Sequence, residues 1–247
     1  MKVPPRILSL AEYGGLNVHP SILPDLRGAA PIHHTLLARE SHTGVSVQTL
    51  HPTKIDHGKI VLQKRNIPIP NPDTCTPKEL IDYLAPIGGN LLVQALRERL
   101  YLPLNQTISQ EPVPESQRLA PKITKEDRHI DWETWTASNI LNRNRVLGDL
   151  WDTSTWSQCA ASPNISKRVI FHALKPLQNK LLNKRGGPGT VYLTGGTLAI
   201  RTAKGPGSDD VGAVEVVSCT LEGGKKGKGD RELVSVLKRR IEGGGSK

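Results

Sequence analysis

The sequence predicts two domains, an α/β domain followed by a helical segment and a small OB-like β-barrel. Helix-like and strand-like stretches alternate up to residue 102, and short strand-like runs bounded by Gly or Pro dominate from residue 167. Between them, residues 103–122 hold four prolines among polar residues, a composition that cannot bury a core. We therefore place the α/β domain at residues 1–102, a linker at 103–122 and the second domain at 123–247.

Composition narrows the classes of function. The 247 residues carry a formal net charge of +10 and a pI of about 9.6, which favours an acidic partner, most often nucleic acid. Cys75, Cys159 and Cys219 are far apart and odd in number, so they indicate neither a disulfide framework nor a zinc site. No stretch of sequence is long and apolar enough to predict a membrane span, so a membrane is not among the expected partners.

The first domain is predicted to begin with a short helix and a short buried strand. Residues 14–19 alternate, so that Asn17 and His19 share one face of the strand. Pro20 ends the strand, and a tight proline-bounded turn follows at residues 21–24. An amide and an imidazole therefore lie together at the end of a strand, which is where ligands bind in open α/β sheets. Two interpretations stay open: a hydrogen-bonded pair that finishes an edge strand, or a site that stabilises an oxyanion and moves a proton.

Further elements complete the first domain. Hydrophobic spacing and turn residues predict a helix, two strands and a second helix, at residues 31–40, 45–50, 60–69 and 76–100. Thr76 and Glu79 have the pattern of a capping box at the start of that second helix. Pro86 and the two glycines at 88–89 interrupt it, so we expect one broken helix or two.

The second domain is predicted to change from helix to strand along its length. Residues 124–147 are largely helical in pattern, residues 151–166 have the composition of an irregular insertion, and Asp230 is placed to cap a last helix. Four strand-like runs lie at residues 169–173, 189–193, 197–201 and 211–219. Short strands with Gly-rich turns favour a small barrel of the OB type at this size.

Charge is segregated in the second domain. Between Thr153 and Ser208 there is no Asp or Glu, while the same stretch contains eight Lys and Arg residues. This distribution predicts a surface that neutralises phosphates, and the alternative is a merely solvated basic face. Aromatic residues are few, so we expect contact with the backbone of a folded RNA rather than base stacking. The residues expected to contact RNA are Arg27, Arg143, Arg145, Arg168, Lys184, Arg185, Lys225 and Lys226.

Three blocks of sequence together resemble the methionyl-tRNA formyltransferase family, a branch of the formyltetrahydrofolate-dependent formyltransferases. The first block is NVHPSILP at residues 17–24 with RGAAP at 27–31. The second is TGVSV at residues 43–47 with IDHG at 55–58, and the third is IDW at 130–132. The third block and the basic β module indicate the tRNA-specific branch. The resemblance covers nearly the whole chain apart from the predicted insertion.

The resemblance implies a fold and a reaction. The first domain would be the C-terminal half of a Rossmann-like formyltransferase domain, since the chain starts just before the strand that carries Asn17, and we expect an N-terminally truncated protein. The implied reaction transfers a formyl group from 10-formyltetrahydrofolate to the α-amine of initiator methionyl-tRNA, without a metal. The protein would be a monomer of the mitochondrial matrix, to which the long linker, the insertion and the high pI also point.

The resemblance also implies roles for single residues. Asn17 would donate to the oxyanion that forms at the formyl carbon, and His19 would be a second donor and transfer a proton. Asp56, an opposite charge on the next loop, would stabilise the charged imidazole and help to move the proton of the amine. The folate would be held by the turn Ser21, Ile22, Leu23 and Pro24.

Alternatives remain for the function. The chain could be a formyltetrahydrofolate-dependent transferase that acts on a small amine, but a small substrate needs no basic module. It could also be a non-catalytic RNA-binding remnant. A hydrolytic metal site built from His19, His51, Asp56 and His57 can be imagined, although we expect His57 to be solvated.

Overall fold

A computed structural model of the chain describes residues 3–102, 117–160, 166–177, 186–205 and 212–243. It divides into two compact units, Met1–Ile123 and Thr124–Lys247. Within the described residues, none of the helices combines the length and the apolar character needed to cross a membrane.

The first unit packs helices against a small sheet. Its strands are β1 (Leu16–His19), β2 (His42–Thr49) and β3 (Ile60–Pro68), and its helices are α1 (Pro5–Leu8), α2 (Pro31–Leu37) and α3 (Pro77–Arg97). The strand order is β1-β2-β3, and both pairs are antiparallel. The mixture of sheet and helix confirms the predicted α/β class. The described sheet contains no parallel pair, so it holds none of the parallel strand pairing typical of a Rossmann-like fold.

Helix α3 is continuous through the predicted break. Thr76 and Glu79 form the expected capping box, and Pro86 lies inside the helix. An interior proline removes one helical hydrogen bond and costs about 3 kcal/mol. Burial of five side chains or backbone positions along one face offsets that cost: Leu80, Leu84, Gly88, Leu91 and Ala95. Gly88 lets the helix approach the sheet, because a Cβ there would lie 2.7 Å from Cγ1 of Val18.

The described end of the predicted linker is bound to the first unit. Residues 117–121, named here the docked segment, run parallel to the loop that follows β1, with a bridge between Arg27 and Leu119. Ala120 is fully buried. The linker prediction is therefore wrong for these residues, because the loop after β1 exposes backbone groups that the docked segment satisfies.

The second unit surrounds a five-stranded antiparallel sheet. Its strands are β4 (Leu150–Asp152), β5 (Val169–Pro176), β6 (Val191–Thr194), β7 (Thr197–Arg201) and β8 (Ala213–Leu221), in the order β4-β5-β8-β7-β6. Its helices are α4 (Ala137–Leu147), α5 (Ser154–Ala160) and α6 (Gly229–Gly243). The core contains Phe171, Leu150, Ile140, Leu198 and Leu233. Closure of the sheet into an OB-like barrel stays a prediction.

Two local predictions in the second unit are wrong. The described part of the predicted insertion is ordered into β4 and α5, because the Asp152 carboxylate caps α5 by accepting from Ser154 and Thr155. The helix predicted over residues 124–147 is reduced to α4 and a 3₁₀ turn at Glu126–Arg128. Its middle is a turn in which Asp131 accepts from the backbone of two following residues.

Candidate active site

A cavity of about 450 Å³ opens in the first unit where β1 ends and the loop after β2 returns to it. Its polar lining includes Asn17, His19, Gln48, His51 and Asp56. The sheet register explains why some of these side chains meet. Asn17 lies opposite Gln48 in the antiparallel pair β1–β2, and residues opposite each other project to the same face.

Each ring nitrogen of His19 faces an oxygen atom. Nε2 lies 3.0 Å from the carbonyl oxygen of Leu26, which can only accept, so Nε2 carries a proton and donates it. Nδ1 lies 3.6 Å from Oδ1 of Asp56. The ring is buried, with 4% of the residue exposed. Nε2 is therefore engaged by Leu26, and the Asp56 carboxylate faces Nδ1.

Asp56 is fixed in place by three neighbours. Its Oδ2 accepts from the backbone N–H of Gly28 at 2.9 Å, and its Oδ1 accepts from Nε2 of Gln48 at 2.9 Å. Its backbone carbonyl accepts from Nε of Arg27 at 2.8 Å. The Asp56 backbone has a φ of 54°, a left-handed conformation that non-glycine residues adopt rarely. The carboxylate therefore has a single orientation, toward His19.

Asn17 and Gln48 are the two amides of the site. The Asn17 side chain is half-buried and makes no hydrogen bond to any residue that the structure describes, so its amide is available to a ligand. Gln48 is 1% exposed, and its Oε1 has no partner among the described residues. Gln48 was missed by the sequence analysis. The signal was a polar residue at a fully buried position of β2.

The predicted folate turn, residues 21–24, does not line this cavity. Ser21 and Ile22 line a separate cavity of about 150 Å³. The Ser21 hydroxyl donates to the carbonyl of Asp25, and Leu23 is 2% exposed. Internal bonds occupy this turn, so the structure brings Asn17, His19 and Asp56 together without bringing Ser21, Ile22, Leu23 or Pro24 into the same space.

The remaining histidines do not complete a metal site. His57 is exposed and its Nδ1 lies 2.6 Å from the carbonyl of Ile55, so it points away from the carboxylate of Asp56. Nδ1 of His51 accepts from the backbone amides of Thr53 and Lys54. Across the part of the chain that the structure describes, no group of three or more His, Cys, Asp or Glu side chains is arranged to bind a metal ion.

Arg27 is bonded on two sides within the first unit. Besides its bond to Asp56, its Nη1 donates to Oε1 of Gln117 at 2.8 Å. The expectation that Arg27 contacts RNA stays a prediction. Because both bonds are internal, the guanidinium links the candidate active site to the docked segment.

The basic residues of the second unit have different surroundings. Arg143 lies over the ring of Trp135 at 4.0 Å, and burial lowers the pKa of its guanidinium. Arg168 lies over Trp151 at 5.1 Å. Arg145 donates to the side chain of Asn142. Lys225 and Lys226 are exposed in the turn after β8, whereas Lys184 and Arg185 lie outside the described residues.

Comparison with protein families gives two matches in this chain. The family model described as formyl transferase matches residues 1–96, and the model described as formyl transferase, C-terminal domain, matches residues 122–232. The matches confirm the resemblance seen in the sequence. Residues 97–121, between the two matches, include all of the predicted linker except residue 122.

Three curated proteins similar to this chain carry the name methionyl-tRNA formyltransferase. Methionyl-tRNA formyltransferase, mitochondrial, of Saccharomyces cerevisiae is 38% identical over 207 residues, which are 76% of this chain and 51% of the relative. The mitochondrial protein of that name from Mus musculus is 37% identical over 150 residues, 59% of this chain and 37% of the relative. Methionyl-tRNA formyltransferase of Chlorobium phaeovibrioides is 31% identical over 222 residues, 90% of this chain and 62% of the relative. The chain spans about half the length of the yeast relative.

Solved structures show a similar fold. HypX from Aquifex aeolicus, in complex with tetrahydrofolic acid, matches with a TM-score of 0.54 and 17% sequence identity. The match covers 96% of this chain and 37% of HypX. At this identity the likeness concerns the fold.

Proposed function

This chain belongs to the formyl transferase family, and from that premise we propose that it transfers a formyl group from 10-formyltetrahydrofolate to the α-amine of initiator methionyl-tRNA. The observation that carries the proposal is the cavity in which Asn17, His19 and Asp56 meet, with the carboxylate held by Gly28 and Gln48. The yeast, mouse and Chlorobium relatives named for this reaction support the choice of substrates.

In the proposed reaction, a bond forms between the amine nitrogen and the formyl carbon, the bond from that carbon to N10 of the folate breaks, and the proton lost by the amine passes to N10. The products are formylmethionyl-tRNA and tetrahydrofolate. The barrier lies in the negative charge that develops on the formyl oxygen and the positive charge that develops on the amine.

Asn17 acts on the first of these charges. Its amide is unoccupied by described residues and can donate to the developing oxyanion. Because the backbone of Asn17 is held in β1 by pairing with β2, the donor is placed beside the cavity before the reaction, and one such donor contributes on the order of 3 kcal/mol. The Nε2–H of His19 is already bonded to Leu26, so we assign the oxyanion to Asn17.

His19 and Asp56 act on the second charge. Nδ1 of His19 and Oδ1 of Asp56, 3.6 Å apart, form the place where the proton of the amine is accepted and later returned to N10. Assistance of this kind contributes on the order of 100- to 10,000-fold in rate. The two bonds to the Asp56 carboxylate keep it aimed at the imidazole while the proton moves.

The volume and the polar lining of the cavity suit a folate co-substrate and an amine. Its volume of about 450 Å³ lies within the range of small-molecule sites. Gln48 lines it and has a buried Oε1 without a described partner, which an N–H donor of a bound group would satisfy. The turn at residues 21–24 would then support the folate site from outside the cavity.

The second unit would bind the tRNA. Lys225 and Lys226 are exposed, and Arg168 and Arg143 lie over tryptophan rings that keep the cations in defined positions. Such cations meet phosphates without reading sequence. We propose further that the protein acts as a monomer in the mitochondrial matrix, in line with the mitochondrial relatives, and that it has no membrane partner.

A matched pair of histidine substitutions tests the proposal. Formylation of methionyl-tRNA by the chain is measured with 10-formyltetrahydrofolate as donor. His19→Asn is expected to lower the rate by on the order of 100- to 10,000-fold because it removes the group that accepts the proton. His57→Asn, an exposed histidine of the neighbouring loop, is the control and should keep the rate. Equal rates for the two variants, or a chain that transfers no formyl group, would contradict the proposal.

A further inference from the structure

The docked segment is joined to the loop after β1 by backbone bonds. The amide of Leu26 donates to the carbonyl of Arg118 at 2.8 Å, and the amide of Ala120 donates to the carbonyl of Arg27 at 2.7 Å. The amide of Ala30 donates to the carbonyl of Ala120 at 3.1 Å. Three bonds over five residues of the loop hold the docked segment against it and satisfy backbone groups on both sides.

Side chains strengthen this attachment. Arg118 contacts two carboxylates, with its Nη2 2.6 Å from Oδ2 of Asp25 and its Nη1 2.6 Å from Oε1 of Glu40. A single exposed ion pair contributes little, but one guanidinium shared by two carboxylates fixes the position of the segment more firmly.

The same loop holds the carboxylate of the candidate site. Between the amides of Leu26 and Ala30, which bond to the docked segment, the amide of Gly28 bonds to Oδ2 of Asp56. Gly28 has a φ of 131°, and a Cβ there would lie 2.2 Å from the carbonyl oxygen of Ala120. Loop and segment are therefore packed backbone to backbone at the residue that orients Asp56.

Arg27 makes a second connection. Its guanidinium bonds to the backbone carbonyl of Asp56 on one side and to the side chain of Gln117 on the other. The docked segment is thus connected to the backbone of Asp56 through Arg27 and to its carboxylate through Gly28.

We propose that the docked segment, residues 117–121, positions Asp56 for proton transfer by holding Arg27 and Gly28. It is a positioning element and touches no substrate. The role of Asp56 in catalysis rests on the proposed formyl transfer. That the docked segment fixes the position of Asp56 does not depend on that function. A chain whose docked segment is loosened would keep its fold and its tRNA binding but lose the orientation of the carboxylate.

Amide hydrogen exchange of the full chain tests the holding. Arg118→Ala removes both ion pairs and is expected to speed exchange at Leu26, Gly28 and Ala30 by roughly two- to tenfold. Ala120→Pro removes the amide that donates to Arg27 and should speed exchange at Gly28 by about tenfold or more. Arg118→Lys keeps the charge and should restore slow exchange in part. Lys78→Ala, which breaks an exposed ion pair with Asp82 on α3, is the control and should leave all three amides unchanged.

The outcomes are separable. Faster exchange at Gly28 with unchanged protection in β3 supports the proposal. Unchanged exchange at Gly28 in Ala120→Pro overturns it, whether or not Leu26 and Ala30 respond. Formyl transfer is measured in parallel, and a fall in kcat at constant KM for tRNA is expected for Arg118→Ala. If the wild-type chain transfers no formyl group, the proposed function fails while the exchange data still decide how Asp56 is held.

Discussion

The two units place their buried titratable groups in different surroundings. The first unit buries an imidazole and a carboxylate, His19 and Asp56, side by side on the wall of a cavity. It also buries the thiol of Cys75. The second unit buries two thiols, Cys159 and Cys219, and the guanidinium of Arg201, which lies over the ring of Tyr192. Its Arg143 and Arg168 lie over tryptophan rings, and its Lys225 and Lys226 lie in solvent. Its buried acid, Asp152, is occupied as the cap of α5.

The difference separates chemistry from binding. A buried charge is costly unless it is paired and hydrogen-bonded, so an arrangement that retains one beside a cavity indicates a reacting site. Surface cations stay hydrated, so they carry little desolvation cost, and they suit contact with phosphates. We therefore expect substitutions in the first unit to change the rate of formyl transfer, and substitutions of basic residues in the second unit to change the affinity for tRNA.

The largest expected effect is that of Asp56→Asn. Loss of the charge facing Nδ1 of His19 should lower the rate of formylation by on the order of 100- to 10,000-fold while leaving the affinity for tRNA within about twofold of the wild type. Asp73→Asn, an exposed carboxylate of the same unit, is the control. A parallel fall in rate and affinity would break the division between the units.

A smaller effect is expected for the double substitution Lys225→Gln with Lys226→Gln. Each lysine that contacts a phosphate displaces a counterion from the RNA. Without the two lysines, binding of tRNA should weaken by about tenfold, and the slope of log affinity against log salt concentration should fall in magnitude by roughly two. The rate at saturating tRNA should not change. Lys78→Gln removes an exposed cation from the first unit and serves as the control. An unchanged salt dependence would place the tRNA surface elsewhere.

The sequence analysis predicted those parts of the site that depend on residues close together in sequence. Alternation along β1 placed Asn17 and His19 on one face, and the α/β class and the family were both confirmed. Gln48 was missed because a buried polar residue in a strand acquires meaning only when its partner, Asp56, is known.

Long-range pairing explains the other failures. The docked segment contacts the loop after β1, from which it is separated by about ninety residues of sequence. The spacing of apolar and polar residues along the chain does not predict a contact between segments so far apart. The bonds of Arg27 to Asp56 and Gln117 likewise join residues far apart in sequence, so the sequence analysis did not predict them. The helix α5 could have been predicted, because Asp152 followed by Ser154 and Thr155 is a helix-capping pattern. The prediction of an irregular insertion considered only the composition of this stretch and not the order of these residues.

The buried thiols predict a pH dependence for the second unit. Burial raises the pKa of Cys159 to about 12 and that of Cys219 to about 12, from an ordinary value of 9.0. The folded chain keeps both protons where the unfolded chain loses them, so stability is fully present below pH 9 and falls as the pH rises toward 12. Between pH 8 and 9.5 the loss is on the order of 1 kcal/mol per thiol. Thermal or urea unfolding at several pH values measures it. The double variant Cys159→Ala with Cys219→Ala should flatten the dependence, and an equally steep one would assign it to other groups.

The smallest expected effect on stability is that of Gln48→Leu. The substitution removes one hydrogen bond to Asp56 but also removes Oε1, a buried acceptor without a described partner, so we expect the free energy of unfolding to change by no more than about 1 kcal/mol. The rate of formylation should nevertheless fall several-fold, because Asp56 then keeps only the bond from Gly28 to orient its carboxylate. Gln63→Leu is the matched control on the adjacent strand. It leaves the carbonyl of Leu23 without its donor, so it should lower stability and spare the rate. The reverse pattern, with Gln48→Leu unstable and fully active, would mean that this glutamine holds the sheet together and that Asp56 does not depend on it.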